Sequence, residues 1–368
     1  MFRMPSAPHR IYPLDVLRGI AALSVVFWHW QHFFYVGGQP ENFDVTRQPL
    51  FDALQLFYRH GSLAVELFFV ISGFVFFWLF SQRIAQRKLS TSRFFMDRFS
   101  RLYPLHIATF LLVAGLQWAF IQSHPAWFVY QTNDSYHALL NVLLIPAWGF
   151  ESGWSFNAPI WSVSVECLLY ALFFLICLTG RFRYLLAAGL LAAGYALYPY
   201  NYKLGSGLLC FFAGGMALLI MQALGRFLTA RTLCAISLIL SALAWTFVVA
   251  TEVRPTYFIM GIAFPVSVMF IASLSWLWPD LLKPWAVIGD LSYSSYLLHF
   301  PLQIVFALSV DRLGYTRDIF YSPWMLLLFM GVLIPLSLAS HRWFEAPVQS
   351  ALRTRFKTRS GKGRSAIG

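Results

Sequence analysis

Hydrophobic residues fill the chain in long runs that short polar segments separate. A membrane-spanning helix needs about 17–25 mostly apolar residues, and ten runs satisfy this requirement. The runs cover residues 16–37, 61–81, 102–122, 157–179, 183–200, 205–222, 232–251, 256–278, 288–309 and 323–343. Strands of a β-barrel would instead alternate polar and apolar positions in short segments. The pattern therefore predicts an all-α fold, a polytopic bundle of about ten transmembrane helices in a lipid bilayer.

Composition excludes a soluble domain. Hydrophobic residues make up 59% of the chain and charged residues only 11%. Soluble domains average about 45–50% hydrophobic residues and about 25% charged residues. The formal net charge of +12 would by itself suit a nucleic-acid-binding protein. However, the basic residues concentrate in short turns between the apolar runs, where they set topology and contact anionic lipids. We therefore expect a membrane as partner and no nucleic acid.

The distribution of basic residues predicts the orientation of the spans. Of the 27 Lys and Arg residues, 21 lie in alternate connecting segments on one side of the predicted membrane, together with both termini. The segment 123–154, on the opposite side, contains no Lys or Arg. The positive-inside rule therefore places both termini in the cytoplasm and predicts an even number of spans. We expect a membrane domain over residues 1–347 and a basic, disordered cytoplasmic tail over residues 348–368.

Ionisable side chains inside apolar runs are candidates for function, because a charge in hydrocarbon is costly. In the first run, Arg18 and His29 are eleven residues apart, which predicts that they share one helix face. Asp15 precedes Arg18 by three residues, a spacing at which the two side chains can pair. Alternatively, His29 is a core histidine and Arg18 a topology charge.

His29-x-x-His32 also suits metal ligands, but no further ligand follows at a useful spacing, so we expect no metal.

The second and third runs contain a carboxylate, a small-residue pair and a pair of arginines. Glu66 precedes Ser72 and Gly73, and Gly73 would let either a ligand or another helix approach the backbone closely. Arg98 and Arg101 lie one turn apart near the start of the third run. Two guanidinium groups at this spacing suit phosphate, but they also fit the positive-inside rule. For both pairs a functional and a purely structural explanation stay open.

Two later runs carry polar side chains at depth. Trp161, Ser162 and Glu166 lie together in the fourth run, and a carboxylate that deep needs a partner. His29 lies at a similar predicted depth, so the two side chains could form an acid–base couple. A basic counter-ion for Glu166 is the alternative. His299 lies deep in the ninth run, where catalysis and core packing explain it equally well.

Six segments together resemble the acyltransferase-3 family of bacterial integral-membrane O-acyltransferases of sugars. They are the R-x10-H pair Arg18 and His29, FFVISGF at 68–74, RFSRLYP at 98–104, WSVSVE at 161–166, GDLSYSSYLLHFP at 289–301 and WFEAP at 343–347. Each motif is loose by itself. All six occur in the order of the family, from about residue 11 to residue 347, so the resemblance covers nearly the whole chain.

The resemblance implies a fold, a reaction and a location. An acyltransferase-3-like domain over residues 1–347 would form about ten transmembrane helices in the bacterial cytoplasmic (inner) membrane. It would hold no permanent cofactor, and it would transfer an acyl group, usually acetyl, from cytoplasmic acyl-CoA as co-substrate to a sugar hydroxyl. The implied partner is a carbohydrate or glycolipid acceptor that belongs to a cell-surface or secreted glycan.

The resemblance also implies roles for particular residues. Arg18 and His29 match the catalytic pair of the family, and Arg98 and Arg101 match residues on the coenzyme side. Because a thioester is already activated, the reaction needs a base for the acceptor hydroxyl. His29 would be that base, and Glu166 would orient its ring.

Three further points concern the coenzyme arm, the route of acyl transfer and the function of the protein. Gly73, next to Ser72, would make room for the pantetheine arm of the coenzyme. An acyl-enzyme on Ser72, Ser162 or Ser164 is an alternative to direct transfer. A proton-coupled transporter or a flippase of a lipid-linked sugar is the alternative function, because buried His, Glu and Arg would also form a proton relay. Consumption of acyl-CoA distinguishes the enzyme from a transporter.

Overall fold

The computed structural model describes residues 10–251 and 256–365, with side chains described as far as residue 356. The remaining parts of the domain expected at 1–347 and of the tail expected at 348–368 lie outside the described residues. The helices are α1 Tyr12–Trp28, α2 Phe51–His60, α3 Ala64–Phe76, α4 Gln82–Ala85, α5 Thr91–Ile121, α6 Ser135–Val142, α7 Trp161–Leu178, α8 Arg183–Leu197, α9 Tyr202–Leu224, α10 Ala230–Ala250, α11 Thr256–Phe258, α12 Phe264–Leu277, α13 Ala286–Asp290, α14 Ser292–Arg312, α15 Pro323–Ser340 and α16 Ala346–Ser365.

Tighter and wider helical turns connect several of these helices. The 3₁₀ turns are His29–Phe34, Val45–Arg47, Gly61–Leu63, Pro146–Trp148, Ala158–Ile160, Gly180–Phe182, Lys283–Trp285 and Arg317–Tyr321. The π turns are Phe77–Ser81, Ile259–Ala263 and His341–Glu345.

Two short strands form a hairpin after the first helical segment. Strands β1 (Tyr35–Val36) and β2 (Gln39–Pro40) pair antiparallel, with Tyr35 opposite Pro40 and Val36 opposite Gln39. The two residues between the strands are Gly37 and Gly38, whose φ angles are +57° and +88°. A two-residue hairpin turn of this type needs positive φ at both positions, which glycine adopts without strain.

Eight helices in the described part of the chain are long and apolar enough to cross a membrane. They coincide with eight of the ten predicted spans, and the prediction of an all-α polytopic membrane fold is confirmed. The other two predicted spans, 16–37 and 183–200, overlap α1 with 17 residues and α8 with 15 residues. At about 1.5 Å of rise per residue, these two helices are shorter than the roughly 30 Å of a hydrocarbon core.

The first predicted span is not one continuous α-helix. Helix α1 ends at Trp28, and the chain continues as the 3₁₀ turn His29–Phe34 and then as the hairpin. The stretch after Trp28 is rich in aromatic residues, which lose side-chain freedom in an α-helix. Tertiary contacts hold the tighter turn instead: the indole of Trp30 donates a 2.8 Å hydrogen bond to the carbonyl of Phe320.

The chain divides into two compact units. The first contains the described residues up to Ala21, together with Leu63–Leu89 and Ser164–Ser292. Within this unit, α3 and α8 both pack against α9, and α12 packs against α10 and α9. Glycines let α3 and α9 approach closely, because a Cβ atom on Gly73 or Gly214 would overlap a backbone carbonyl of the facing helix. Small residues commonly make such helix contacts in membranes.

The second unit contains Ala22–Ser62, Ser90–Val163 and the described residues from Tyr293 onward. Its core is aromatic. The ring of Phe33 stacks on Phe320 at 3.7 Å between centroids, and the edge of Trp30 meets Phe329 at 5.4 Å. Phe33, Phe320 and Phe329 are fully buried. This core anchors the 3₁₀ turn that begins at His29.

The described part of the C-terminal segment is helical. Helix α16 runs to Ser365, which includes most of the tail expected from residue 348. An ion pair fastens its first half to α5: Arg353 Nε lies 3.0 Å from Asp97 Oδ1 and 3.3 Å from Ser100 Oγ. A basic residue thus finds an acidic partner on a neighbouring helix, a contact that composition alone does not show.

Candidate functional site

A pair of buried histidines lies at the centre of the second unit. His29 is the first residue of the 3₁₀ turn that follows α1, and His299 lies in the middle of α14. Nδ1 of His29 is 2.9 Å from Nε2 of His299, and the two rings are nearly parallel with centroids 4.9 Å apart. His299 is fully buried and His29 nearly so. The structure thus brings together two candidates that are 270 positions apart in the sequence.

His32 and Gln303 complete this histidine cluster. The ring of His32 stacks on that of His29, with centroids 4.4 Å apart. Gln303 donates a 2.8 Å hydrogen bond from Nε2 to the carbonyl of His29, and its Oε1 lies 3.2 Å from Nδ1 of His32. Because the amide oxygen can only accept, this contact places the proton of His32 on Nδ1.

The sequence reasoning considered His32 only as a metal ligand and missed Gln303. Two signals were present. His32 follows His29 by three residues, and Gln303 follows His299 by four, so each pair lies on one face of its helical segment. Within residues 10–251 and 256–365, no group of three or more His, Cys, Asp or Glu side chains is placed to hold a metal ion.

The hydrogen bond between the two histidines has a chemical consequence. Two neutral imidazoles share one proton along such a bond, so one ring donates and the other accepts. If Nδ1 of His29 donates to His299, Nε2 of His29 keeps its lone pair. That tautomer is a general base whose orientation a second ring maintains.

A charge cluster lies at the start of α1 in the first unit. Arg18 Nη1 is 3.5 Å from Asp15 Oδ1, which confirms the predicted pairing, and Nη2 is 3.3 Å from the hydroxyl of Ser292. Arg10 binds the carboxylates of Asp15 at 2.5 Å and Asp290 at 2.6 Å. Burial opposes ionisation of Arg10, but the two carboxylates outweigh this effect and raise its pKa.

Tight backbone packing holds this charge cluster in place. A Cβ atom on Gly19 would come within 2.6 Å of the carbonyl oxygen of Ile288, and one on Gly289 within 2.4 Å of the carbonyl oxygen of Asp15. Helices α1 and α13 therefore touch through their backbones. The guanidinium of Arg18 is a quarter exposed and sits at a fixed position at this end of α1.

The candidates on α3 and α7 are engaged in packing within the first unit. The hydroxyl of Ser72 donates a 2.6 Å hydrogen bond to Glu166 Oε1. A Cβ atom on Gly73 would lie 1.7 Å from the carbonyl oxygen of Phe211, so the backbone of α9 fills the space that a pantetheine arm would need. Glu66, on the same helix, keeps a buried Oε2 without a hydrogen-bond partner among the described residues. Close helix contact, the alternative weighed for Gly73, agrees with this geometry.

Arg98 and Arg101 lie near the N-terminal end of α5 in the second unit. Arg98 is half-buried and Arg101 is exposed. Arg353 on α16 binds the neighbouring Asp97 and Ser100, so a third basic residue contacts the same part of α5. A polyphosphate is the kind of ligand that such a set of basic residues favours.

Trp161 and Ser162 lie near the junction of a 3₁₀ turn and α7. The hydroxyl of Ser162 is 2.8 Å from that of Tyr296, which donates a 2.6 Å hydrogen bond to the carbonyl of Pro159. Asn157, which the sequence reasoning missed, donates a 3.0 Å hydrogen bond to the carbonyl of Leu297. These bonds fasten the start of α7 to the turn of α14 that precedes His299.

The half-buried ring of Trp161 lies 6.4 Å from that of Trp154.

Comparison with known proteins gives one family match. A family model described as an acyltransferase domain, the acyltransferase-3 model, matches residues 11–342. Acyltransferase MdmB of Streptomyces mycarofaciens is 32% identical over 175 residues, which are 46% of this chain and 40% of MdmB. Exopolysaccharide production protein ExoZ of Rhizobium meliloti is 32% identical over 116 residues, 31% of this chain and 33% of ExoZ.

A third relative is protein 2 in the picA locus of Rhizobium radiobacter, 33% identical over 110 residues, which are 30% of this chain and 47% of that protein. The matched stretches thus span less than half the length of each of these relatives. No solved structure gives a significant match to the chain.

Proposed function

The chain belongs to the acyltransferase-3 family, and from this premise we propose that it is a membrane O-acyltransferase acting on a saccharide. The donor in this proposal is acyl-CoA, with acetyl as the default acyl group, and the acceptor is a sugar hydroxyl of a surface or secreted glycan or glycolipid. Its location in the proposal is the bacterial cytoplasmic (inner) membrane. The name of the relative ExoZ, an exopolysaccharide production protein, supports a saccharide acceptor.

The observation that carries the proposal is the hydrogen-bonded pair of His29 and His299. General base catalysis needs an imidazole that is neutral, oriented and able to reach a substrate proton. The 2.9 Å contact with His299 supplies orientation. Hydrogen bonding between Gln303 and the carbonyl of His29, at 2.8 Å, also restrains the backbone that carries the ring.

The reaction in this account has two steps at one carbonyl carbon. Nε2 of His29 takes the proton of the acceptor hydroxyl as the sugar oxygen attacks the thioester carbon. The tetrahedral intermediate then collapses, the C–S bond breaks, and the thiolate of coenzyme A takes the proton from the imidazolium. The products are the sugar ester and free coenzyme A, and His29 returns to its neutral form.

Basic side chains supply the remaining requirements of this reaction. In this proposal Arg98 and Arg101, near the N-terminal end of α5, bind the coenzyme phosphates. Arg18, held by Asp15 and Ser292, is assigned to stabilise negative charge on the donor side. In this proposal Glu166 stays a candidate orienting residue, and its hydrogen bond in the described structure goes to Ser72.

Direct measurement of donor consumption tests the proposal. The purified protein, reconstituted in lipid nanodiscs, should release coenzyme A from radiolabelled acetyl-CoA and transfer the label to saccharide extracted from the membranes of the source bacterium. A transporter or flippase consumes no acetyl-CoA. Absence of both thiol release and label transfer, with well-folded protein, would overturn the assignment.

A further inference from the structure

A cleft opens in the second unit, on segments that the charge distribution predicts to face away from the cytoplasm. Its volume is about 330 Å³, within the range of roughly 300–1,000 Å³ that is usual for small-molecule sites. Three segments line it: the end of the 3₁₀ turn with the hairpin and the residues after it, the end of α5 with the chain that follows, and the end of α14 with the connection that follows. None of the residues lining the cleft belongs to the histidine cluster.

An ion-pair network builds one wall of the cleft. Arg317 contacts the carboxylate of Asp311 with Nε at 2.9 Å and Nη2 at 2.7 Å, and its Nη1 donates to the carbonyl of Phe33 at 3.2 Å. Nε2 of His124 lies 3.0 Å from the same carboxylate. Because Asp311 is engaged on both oxygens, this network fixes the wall rather than offering a free charge.

Other side chains leave groups available to a ligand. Trp127 and Tyr35 are half-buried aromatic residues, and Glu41, Asn42 and Asp318 are exposed around the cleft. Aromatic faces suit the C–H faces of a sugar ring, while carboxylate oxygens accept hydrogen bonds from hydroxyl groups.

Among the lining residues, Glu41, Asp311 and Asp318 are acidic and Arg317 is basic, and the carboxylate of Asp318 also lies 3.9 Å from Nη2 of Arg47. The acidic excess in the lining disfavours the phosphates of a coenzyme, so the chemistry favours a neutral polyhydroxylated ligand.

A short series of rings connects the cleft to the candidate base. The ring of Tyr35, in the cleft lining, meets the edge of His32 at 5.4 Å between centroids. The ring of His32 in turn stacks on that of His29 at 4.4 Å. A single layer of side chains therefore separates the lining of the cleft from His29.

We propose that this cleft is the binding site for the saccharide acceptor, with Trp127 and Tyr35 packing against a sugar ring and Glu41 and Asp318 accepting hydrogen bonds from its hydroxyls. The proposal rests on the proposed function and adds to it the acceptor site and the side of the membrane from which acceptor arrives. In this proposal the rings of Tyr35 and His32 lie between the bound acceptor and His29.

A thiol placed in the cleft tests the proposal in cells. Thr316 is exposed and lines the cleft, and the variant Thr316→Cys is made in protein whose four native cysteines are replaced. A membrane-impermeant maleimide is applied to intact cells of the source bacterium that lack the native copy. New O-acyl groups on surface saccharides are then counted by mass spectrometry, and binding of coenzyme A to the purified labelled protein is measured.

Labelling of Thr316→Cys from outside should reduce new O-acylation by at least about tenfold, as expected when a ligand pocket is filled, and leave coenzyme A binding unchanged. Leu139→Cys is the control: Leu139 is exposed on α6, outside the cleft, and its labelling should have no effect. Failure of Thr316→Cys to react, or full activity after reaction, overturns the acceptor site. Absence of O-acylation even in cells that express the wild-type protein instead counts against the proposed function.

Substitution of the aromatic wall gives an independent test. Trp127→Ala should lower O-acylation by about tenfold, the usual effect of removing an aromatic anchor, whereas Trp127→Phe should keep most of it. The matched control is Trp118→Ala, because Trp118 is 65% exposed and lies outside the cleft. Equal activity of Trp127→Ala and Trp118→Ala would contradict the proposal.

Discussion

The two units contain candidates that the sequence singled out for the same reason, yet the units use them differently. In the first unit, Gly73 is a point of helix contact, and Ser72 donates its hydroxyl to Glu166. In the second unit, His29 and His299 share a hydrogen bond in a buried stack of rings. In the first unit these candidates take part in packing and internal hydrogen bonds, whereas each ring of the histidine pair in the second unit keeps a nitrogen that the pair does not use.

The difference shows which observation distinguishes function from packing inside a membrane protein. A buried polar residue is costly, and helix packing with internal hydrogen bonds is sufficient to explain its presence. A hydrogen-bonded pair of imidazoles is different, because each ring has a second nitrogen that the pair does not use. The histidine cluster is therefore the stronger candidate for chemistry.

The largest expected effect is that of His29→Ala. Loss of a general base should reduce kcat for acyl transfer by at least about 10², while the amount of folded protein in the membrane should stay near that of the wild type. Steady-state kinetics in nanodiscs and size-exclusion profiles measure the two quantities. A wild-type kcat in well-folded His29→Ala would contradict the role of general base and leave His29 as a packing residue.

The second prediction extends the chemical role of the second unit to Arg98 and Arg101. In Arg98→Lys and Arg101→Lys, loss of a charge-assisted bond should cost about 1.5–3 kcal/mol, which raises the KM for acyl-CoA roughly 10- to 150-fold. The KM for the acceptor should barely move. If the arginines are only topology charges, lysine serves equally well, and an unchanged KM for acyl-CoA would support that explanation.

The third prediction tests packing in the first unit. A methyl group in Gly73→Ala meets the carbonyl of Phe211 at 1.7 Å, so the variant should lose about 1–3 kcal/mol of stability through overpacking. Gly115→Ala is the control, since nothing lies within 4 Å of its new methyl group. Thermal unfolding in detergent compares them. If Gly73→Ala instead raises the KM for acyl-CoA and leaves the thermal unfolding temperature unchanged, the result would support the role of Gly73 beside the pantetheine arm.

The smallest expected effect concerns His299 as a positioning residue. In His299→Phe, His29 loses a hydrogen bond worth about 0.5–1.5 kcal/mol, so kcat should fall roughly 2- to 13-fold with little change in either KM. His299→Gln keeps an acceptor and should recover part of kcat. A purely structural role would instead lower the amount of folded protein in both variants, without a selective loss of kcat.

Local patterns were sufficient to predict much of the fold. Runs of apolar residues identified the spans, because burial in lipid requires a minimum length of helix, and the three-residue spacing predicted the contact between Asp15 and Arg18. The 3₁₀ turn after Trp28 was not predictable from hydropathy, since a tertiary hydrogen bond from Trp30 to Phe320 holds it.

The candidate site was predictable only as separate residues. His29 and His299 were both noted, but their contact joins segments 270 positions apart, and helical periodicity describes only neighbours within a few turns. Gln303 is an ordinary polar residue in the sequence, and its role becomes visible only when its amide is seen between two histidines.

The most direct test of the central claim compares surface saccharides from four strains of the source organism. The strains are the wild type, a deletion of the gene, and the deletion complemented with either wild-type protein or His29→Ala at equal membrane levels. The account predicts that mass spectrometry finds O-acyl groups in the wild type and with the wild-type complement, and finds them missing in the deletion and with His29→Ala. Restoration of O-acylation by His29→Ala would contradict it.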